Sequence, residues 1–372
     1  MKREIVLNGS CQTNADMLYF TGAPIPDPFY AFTLRGKKCA LIGALELGRL
    51  SKLGRLDEIF DLSTLATKLF PDRRADDTQV LAAILKKSRV RGLLVPADFP
   101  SLLLERLRGE GFDVLVSDRP LLPERNVKSA AELSEIRKAN AAAAGGFARI
   151  ESVLRESKID GGRLLWRGKV LTSQMLRFEV ECAALAAGAD AMHTIVASGD
   201  AACDPHEVGR GAVKPNSLIV ADIFPRLRSS GYFGDMTRTF LKGEPSSAQE
   251  RLVSTVAAAQ KLALSKIRDG ADGSDIHAEV DCFFEDKGYF TEFKKGAWCG
   301  FFHSTGHGVG LDIHEKISIS PRKCILREGN VVTVEPGLYY RGIGGCRIED
   351  TVVVRKNRAE KLSKFGYEWV IK

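Results

Sequence analysis

The chain reads as a small α/β domain followed by a larger α+β domain, and three observations lead there. The first third of its 372 residues alternates short apolar runs with helical segments, as strands packed against helices do. The remainder carries four well-signalled helices separated by strand-like runs whose intervening turns suit antiparallel hairpins. Between the two lies RPLLPERNVKS, where Pro120 and Pro123 interrupt any regular element. The expected domains are 1–123 and 124–372, which agrees with about 150 residues per domain as a length prior.

In the first domain KKCALIGAL and RGLLVPA have the composition of buried strands. SLLLERLRGEG is an amphipathic helix closed at Gly109 or Gly111. MLYFTG, YAFTLR and FDVLVSD are expected as further strands. Nothing here gathers His, Asp and Cys, so shape and assembly are assigned to this domain rather than chemistry. The second domain opens with Ser129 and Glu132, a capping box for an alanine-rich helix from Ala130 to about Glu156. Further helices are expected from Thr172 to Ala187, from Ala248 to Arg268 behind the capping pair Ser246 and Gln249, and from Ser274 to just before Gly288. HTIVASG, SLIVADIFP, GYFGDMTRTF, VVTVEPGLYY and CRIEDTVVV are the strands between and after them.

Composition excludes several classes. Net charge is +7, but Lys and Arg are interleaved with Asp and Glu; the clusters at Arg226–Arg228 and Arg355–Arg358 are too thin for a nucleic-acid stripe. No apolar run approaches a membrane span, and MKREIVLNGS lacks the core of a signal peptide. Eight scattered cysteines without a CxxC read as reduced thiols in a cytoplasmic protein.

The chemistry concentrates in FFHSTGHGVGLDIHE, residues 301 to 315. Three of the six histidines of the chain (His303, His307 and His314) lie within twelve residues there, among small residues that let backbone and ligand come close. Asp312 is expected at most to orient a neighbour. Four strand-borne acids add to this, since carboxylates are depleted in strands. A hairpin symmetric about residues 228 and 229 sets Asp222 directly opposite Asp235. One centred on Gly342 makes Glu335 and Glu349 neighbours. Period-two alternation puts Arg347, Glu349 and Thr351 on one face of their strand and Ile348 and Asp350 on the other. A single such acid is ordinarily a salt-bridged strand end; two facing pairs beside a histidine cluster call for a cation. Oxygen ligands with one imidazole suit Mn²⁺, Co²⁺, Fe²⁺ or Zn²⁺, and two ions bridged by carboxylates are the arrangement of two-metal hydrolysis.

Together these residues resemble the proline-specific metallopeptidases of the creatinase, methionine aminopeptidase and prolidase superfamily, whose catalytic domain has the pita-bread fold. The likeness is dense from about Lys128 to Val354 and weaker before it, where YFTG resembles the signature of the N-terminal domain. The metal set of the superfamily maps in order onto Asp222, Asp235 in GDMTRTF, His307 in GHGVG, Glu335 in VEPG and Glu349 in RIED. His206 in CDPHE, His303, His314 and Arg347 match positions that the proline-cleaving branch uses around substrate. His193 and His277 match none. The two aspartates stand two residues further apart than is usual, so a longer loop with intact ligands is expected.

The resemblance implies two divalent ions, Mn²⁺ first among them, and a homodimer acting on proline-containing peptides or dipeptides. It implies removal of an N-terminal residue that precedes proline, by attack of a metal-bridging hydroxide. Glu335 would be both ligand and general acid/base; His206, His303, His314 and Arg347 would hold substrate and the developing oxyanion. Dipeptidase and aminopeptidase both remain open. A non-catalytic binding module and a creatinase-like amidinohydrolase are the alternatives, and the complete metal set argues against each.

Overall fold

The computed structural model describes residues 3–294 and 296–372. The chain divides into two compact units, Met1–Arg125 and Asn126–Lys372. No helix among the described residues is long and apolar enough to cross a membrane. All eight cysteine thiols are unpaired.

The first unit is built on a six-stranded mixed sheet. Its strands lie in the order Glu58–Asp61, Lys37–Ile42, Phe29–Leu34, Glu4–Gly9, Gly92–Pro96 and Asp113–Ser117. Phe32, Leu41, Leu81, Leu85 and Val95 are in its core. One expectation fails here: MLYFTG is helical, within Ala15–Thr21. Asn14 decides the matter locally, because its side chain accepts from the Met17 N–H and caps a helix that buries Met17, Leu18 and Phe20. KKCALIGAL is also split, its strand ending at Ile42 before a helix that begins at Ala44.

In the second unit the four helices form close to where their caps place them: Ala130–Glu156, Ser173–Ala186, Ser247–Lys266 and Gly273–Asp286. Both expected capping boxes are present, at Ser129 with Glu132 and at Ser246 with Gln249. The helices pack on two sheets. One is four-stranded, ordered Ile195–Ser198, Ile219–Ile223, Met236–Lys242 and Val370–Ile371; the other is five-stranded, ordered Glu315–Ile319, Gly306–Gly308, Val331–Val334, Asp350–Val354 and Ala359–Lys361.

Two details of these sheets shape the site. In the first ribbon Asp222 pairs with Thr237, not with Asp235. The turn occupies Arg228–Gly231, with Leu227 N–H bonded to Tyr232 O and Gly231 left-handed at φ 79°, so the hairpin is centred one residue later than symmetry about 228 and 229 requires. Asp235 therefore lies diagonal to Asp222, two residues along on the face that carries Thr237, where cross-strand neighbours are roughly 7–8 Å apart and their Cβ atoms somewhat closer. In the second ribbon the expected register holds: Val334 pairs with Asp350 and Gly337 with Arg347, which leaves Glu335 opposite Glu349.

VVTVEPGLYY and CRIEDTVVV are nevertheless each interrupted, into Val331–Val334 and Gly337–Tyr340, and into Gly344–Arg347 and Asp350–Val354. Glu335 and Glu349 sit in the interruptions. Pro336 has no N–H to give to a ladder. The Glu335 N–H bonds instead to Thr305 O at 2.8 Å, and the Glu349 N–H to Thr237 O at 3.0 Å. Each glutamate is thus tied by its own backbone to a neighbouring element, and the two ribbons and the glycine-rich bend converge there.

Candidate metal centre

His307 belongs to the short strand Gly306–Gly308, and its N–H donates to Thr333 Oγ1 at 3.0 Å. Gly306 is required beside it, because a Cβ there would lie 2.0 Å from Thr333 O. The ring places Nδ1 3.2 Å from Gly308 O, so Nδ1 carries the proton and donates. Nε2 is left as a lone-pair donor facing Asp235 Oδ2 at 3.5 Å and Glu335 Oε1 at 3.4 Å. Asp235 directly precedes the strand Met236–Lys242 and is pinned on both sides of its main chain. Its N–H donates to Asn140 Oδ1, and its carbonyl accepts from Thr351 Oγ1 at 2.6 Å. Glu349 Oε2 accepts from Thr237 Oγ1 at 2.7 Å. Ligand atoms of Asp235, His307 and Glu349 all lie within 4.8 Å of one another.

Asp222 completes the acidic group from the other side. Its Oδ2 is 2.8 Å from Arg347 Nη2, while Oδ1 is buried with no hydrogen-bond partner in the structure. The crowding shows in the electrostatics. Burial, then the charges of Glu349, Asp222 and Glu335, hold the Asp235 carboxyl well above the usual range. Burial, then Glu335 and Asp222, do the same to Glu349. Glu335 is pushed up to about 7, mainly by burial, with Arg347 opposing the rise. Burial keeps His307 below its ordinary value, hence neutral.

Beside the acids runs a chain of neutral and cationic groups. Arg347 is buried, donates from Nη1 to Tyr339 OH at 2.8 Å, and has Nε 4.0 Å from Glu335 Oε2. His303 Nδ1 faces Ser304 O at 2.8 Å, so Nε2 accepts from the Tyr339 hydroxyl at 3.0 Å. Burial, and then Arg347, lower the His303 pKa to about 3, so it acts as a neutral acceptor. The exposed His314 ring stands edge-on to His307 with centroids 4.3 Å apart. His206 is exposed; its own segment reaches the group through Pro205 O, 3.5 Å from Arg347 Nη2.

All nine residues singled out in the sequence therefore lie in the larger unit. Eight of them meet through the contacts above, and His206 adjoins them through its neighbour Pro205. Arg347 and Glu349 share the face that alternation gives them, while Asp350 on the opposite face pairs with Arg238 at 2.9 Å. Asp312 is exposed, and its carbonyl accepts from the Gly310 N–H. His193 is exposed, but His277 lies beneath the bend, with Nδ1 2.9 Å from Thr305 Oγ1. Two contributors went unread in the sequence. Thr237 holds Glu349 and accepts from Arg347 Nε at 3.3 Å, and Tyr339 links Arg347 to His303. Period-two alternation from Asp235 and from Glu335 runs to both, so their positions were in reach.

The donor set fits divalent cations. Four converging carboxylates and one neutral imidazole face a single guanidinium, and the unpartnered Asp222 oxygen has no counter-charge of its own. Buried like charges of this kind either take up protons or hold a metal.

The chain belongs to metallopeptidase family M24, whose model matches residues 134–356. Among its relatives, the Xaa-Pro dipeptidase of Pyrococcus horikoshii is 35% identical over 182 residues, 48% of this chain and 49% of that one. The match thus spans about half the length of that relative. The uncharacterized peptidase YqhT of Bacillus subtilis is 30% identical over 271 residues, 70% of each chain. In structure the chain is similar to the X-Pro aminopeptidase of Thermotoga maritima, with a TM-score of 0.81 at 24% identity, covering 99% of this chain and 97% of that one. The shared fold is the pita-bread fold.

Proposed function

We propose that the protein is a dinuclear metallo-exopeptidase that removes an N-terminal residue preceding proline. Asp222, Asp235, His307, Glu335 and Glu349 are the proposed ligands of two divalent ions. The observation that carries the reading is the meeting of Asp235, His307 and Glu349 within 4.8 Å, with Glu335 beside them and the carboxyls of Asp235, Glu335 and Glu349 raised above their usual range by burial and one another's charge. Ions bound there would lower the pKa of water and polarise the scissile carbonyl. Relatives named Xaa-Pro dipeptidase and X-Pro aminopeptidase support the choice of substrate.

The residues of the chain do the rest. Glu335, half-buried beside His307, accepts a proton from the attacking water and returns it to the leaving nitrogen. Arg347, oriented by Tyr339, Thr237 and Asp222, offers its guanidinium to the developing oxyanion or to the substrate carboxylate. Neutral His303 and His314 offer hydrogen bonds to the peptide, and His206 supplies a further donor from the adjoining segment. The carboxylate-rich centre attracts a free amino terminus, which favours an exopeptidase over an endopeptidase.

The proposal includes a homodimer and a cytoplasmic location; the unpaired cysteines fit a reducing compartment. Sedimentation and cell fractionation test these two points. The activity is tested by stripping the protein of metal, restoring Mn²⁺, Co²⁺ or Zn²⁺, and comparing Xaa-Pro with Xaa-Pro-Yaa-Zaa. Hydrolysis is expected, with Mn²⁺ the first choice, and loss of it in His307→Ala and Glu335→Ala. A well-folded protein that cleaves neither substrate with any of the three ions defeats the reading.

A further inference from the structure

Between the strands Gly306–Gly308 and Glu315–Ile319 the chain makes a short loop excursion over residues 309–314. His307 pairs with Ser318 but Gly308 pairs with Glu315, so the register slips by two residues at Lys316 and Ile317, just beyond the loop. His314 rides at the end of this excursion. The first half is anchored by main chain: Val309 N–H bonds to Val331 O, and Phe233 N–H to Gly310 O. In the second half, where the Gly310 N–H bonds to Asp312 O, the Glu315 side chain reaches back onto the loop. Glu315 Oε1 accepts from the Leu311 N–H at 3.2 Å, and the carboxylate packs over Gly310, where a Cβ would lie 2.4 Å from Oε1. Glu315 Oε2 is 2.5 Å from Lys128 Nζ, and the two side chains are only 5% and 2% exposed. Lys128 is itself fixed, its N–H bonded to Gly329 O at 2.8 Å, one residue before the cap of the Ala130–Glu156 helix.

We propose that Glu315 is the positioning residue of His314, holding the 309–314 loop so that the His314 ring stays against His307, with buried Lys128 as an ion-pair partner that holds the Glu315 carboxylate in place. The inference rests on the reading that His314 meets substrate. A buried ion pair is a poor way to gain stability, because both charges leave water. Its use here is geometric: the carboxylate folds back on its own loop and spends one oxygen on the Leu311 amide.

Two double variants separate positioning from support of the fold. Lys128→Met with Glu315→Gln removes both charges but keeps an acceptor for Leu311. Lys128→Met with Glu315→Met removes the acceptor as well, and an apolar replacement of a buried pair is commonly tolerated. Two readouts are taken on the full-length chain: the ring signals of ¹³C-labelled histidine, with His314→Ala assigning the resonance, and kcat/KM for an Ala-Pro dipeptide with Mn²⁺. The Gln variant is expected to keep the His314 signal of the parent and its kcat/KM within a few-fold. The Met variant should unfold cooperatively like the parent, yet show an averaged His314 signal and a loss of about 10²-fold in kcat/KM, the scale of a misplaced contact of about 1 Å. An unchanged His314 signal in a folded Met variant overturns the proposal. Should that variant not fold, the Glu315→Gln single variant decides: there the lone amide oxygen is drawn to the Lys128 ammonium, so a released His314 supports the idea and an unmoved one refutes it. The ring signals do not depend on turnover. A parent protein without peptidase activity would sink the functional reading and leave this test standing.

Discussion

Removing the metal should make Glu335 cost the folded chain stability as pH rises. In the metal-free chain Glu335 is pushed from 4.5 up to about 7, and its side chain is only 15% exposed. A carboxyl whose pKa is higher folded than unfolded binds more protons in the folded state. Its contribution is therefore fully present below the unfolded value, and is lost as pH rises through the folded one. At 1.36 kcal/mol per unit, the rise at Glu335 amounts to about 3 kcal/mol lost between pH 4.5 and 7. Asp235 and Glu349 move in the same direction. For a unit the size of Asn126–Lys372, about 3 kcal/mol corresponds to a fall in Tm of roughly 6–12 °C. With Mn²⁺ present the deprotonated carboxylates gain their counter-charge, and excess metal at about 100 times its Kd adds roughly 2.7 kcal/mol instead. The assay is thermal unfolding of chelator-treated protein and of its Glu335→Gln variant from pH 4.5 to 8, with and without Mn²⁺, so that the opposing titration of His303 and His307, lowered by burial, cancels in the difference. A metal-free difference in Tm between parent and Glu335→Gln that does not change between pH 5 and 7 would refute the reasoning, because Glu335 would then not be titrating upward in the folded chain.

Three further outcomes follow from the same geometry. Asp235→Asn removes one of the crowded charges, so the metal-free protein should melt higher near pH 7 while its stabilisation by Mn²⁺ disappears; a lower metal-free Tm speaks against charge crowding. Thr237→Val takes from Glu349 its 2.7 Å hydroxyl donor and should weaken metal binding by about 10- to 100-fold, read by calorimetric titration. An unchanged affinity would show that Thr237 does not orient the ligand. Gly306→Ala would force a Cβ to 2.0 Å from Thr333 O, so urea unfolding should show a loss of about 1–3 kcal/mol or more, and wild-type stability would mean the bend can widen freely.

The sequence made the chemistry legible where short-range rules apply. Helix caps such as Ser129 with Glu132 act within one turn, and the helices of the second unit begin where those residues stand. The second ribbon was legible too, since the glycine-containing turn at 341–343 sets its register and brings Glu335 opposite Glu349. The local rule failed at MLYFTG, where apolar content suggested a strand and the Asn14 cap outweighed it.

Alone, the sequence determined which side chains could form the centre, because ligand identity and alternation are local properties. Only the tertiary structure decided how they meet. Asp222 lies diagonal to Asp235, since hydrogen bonds of the 228–231 turn, not symmetry, choose the register. Glu335 and Glu349 interrupt their strands, since their amides bond to Thr305 and Thr237 far away in the chain. The contacts that bury Arg347 between Tyr339, Thr237 and Asp222 likewise join separate strands, and such partners exist only once the chain has closed upon itself.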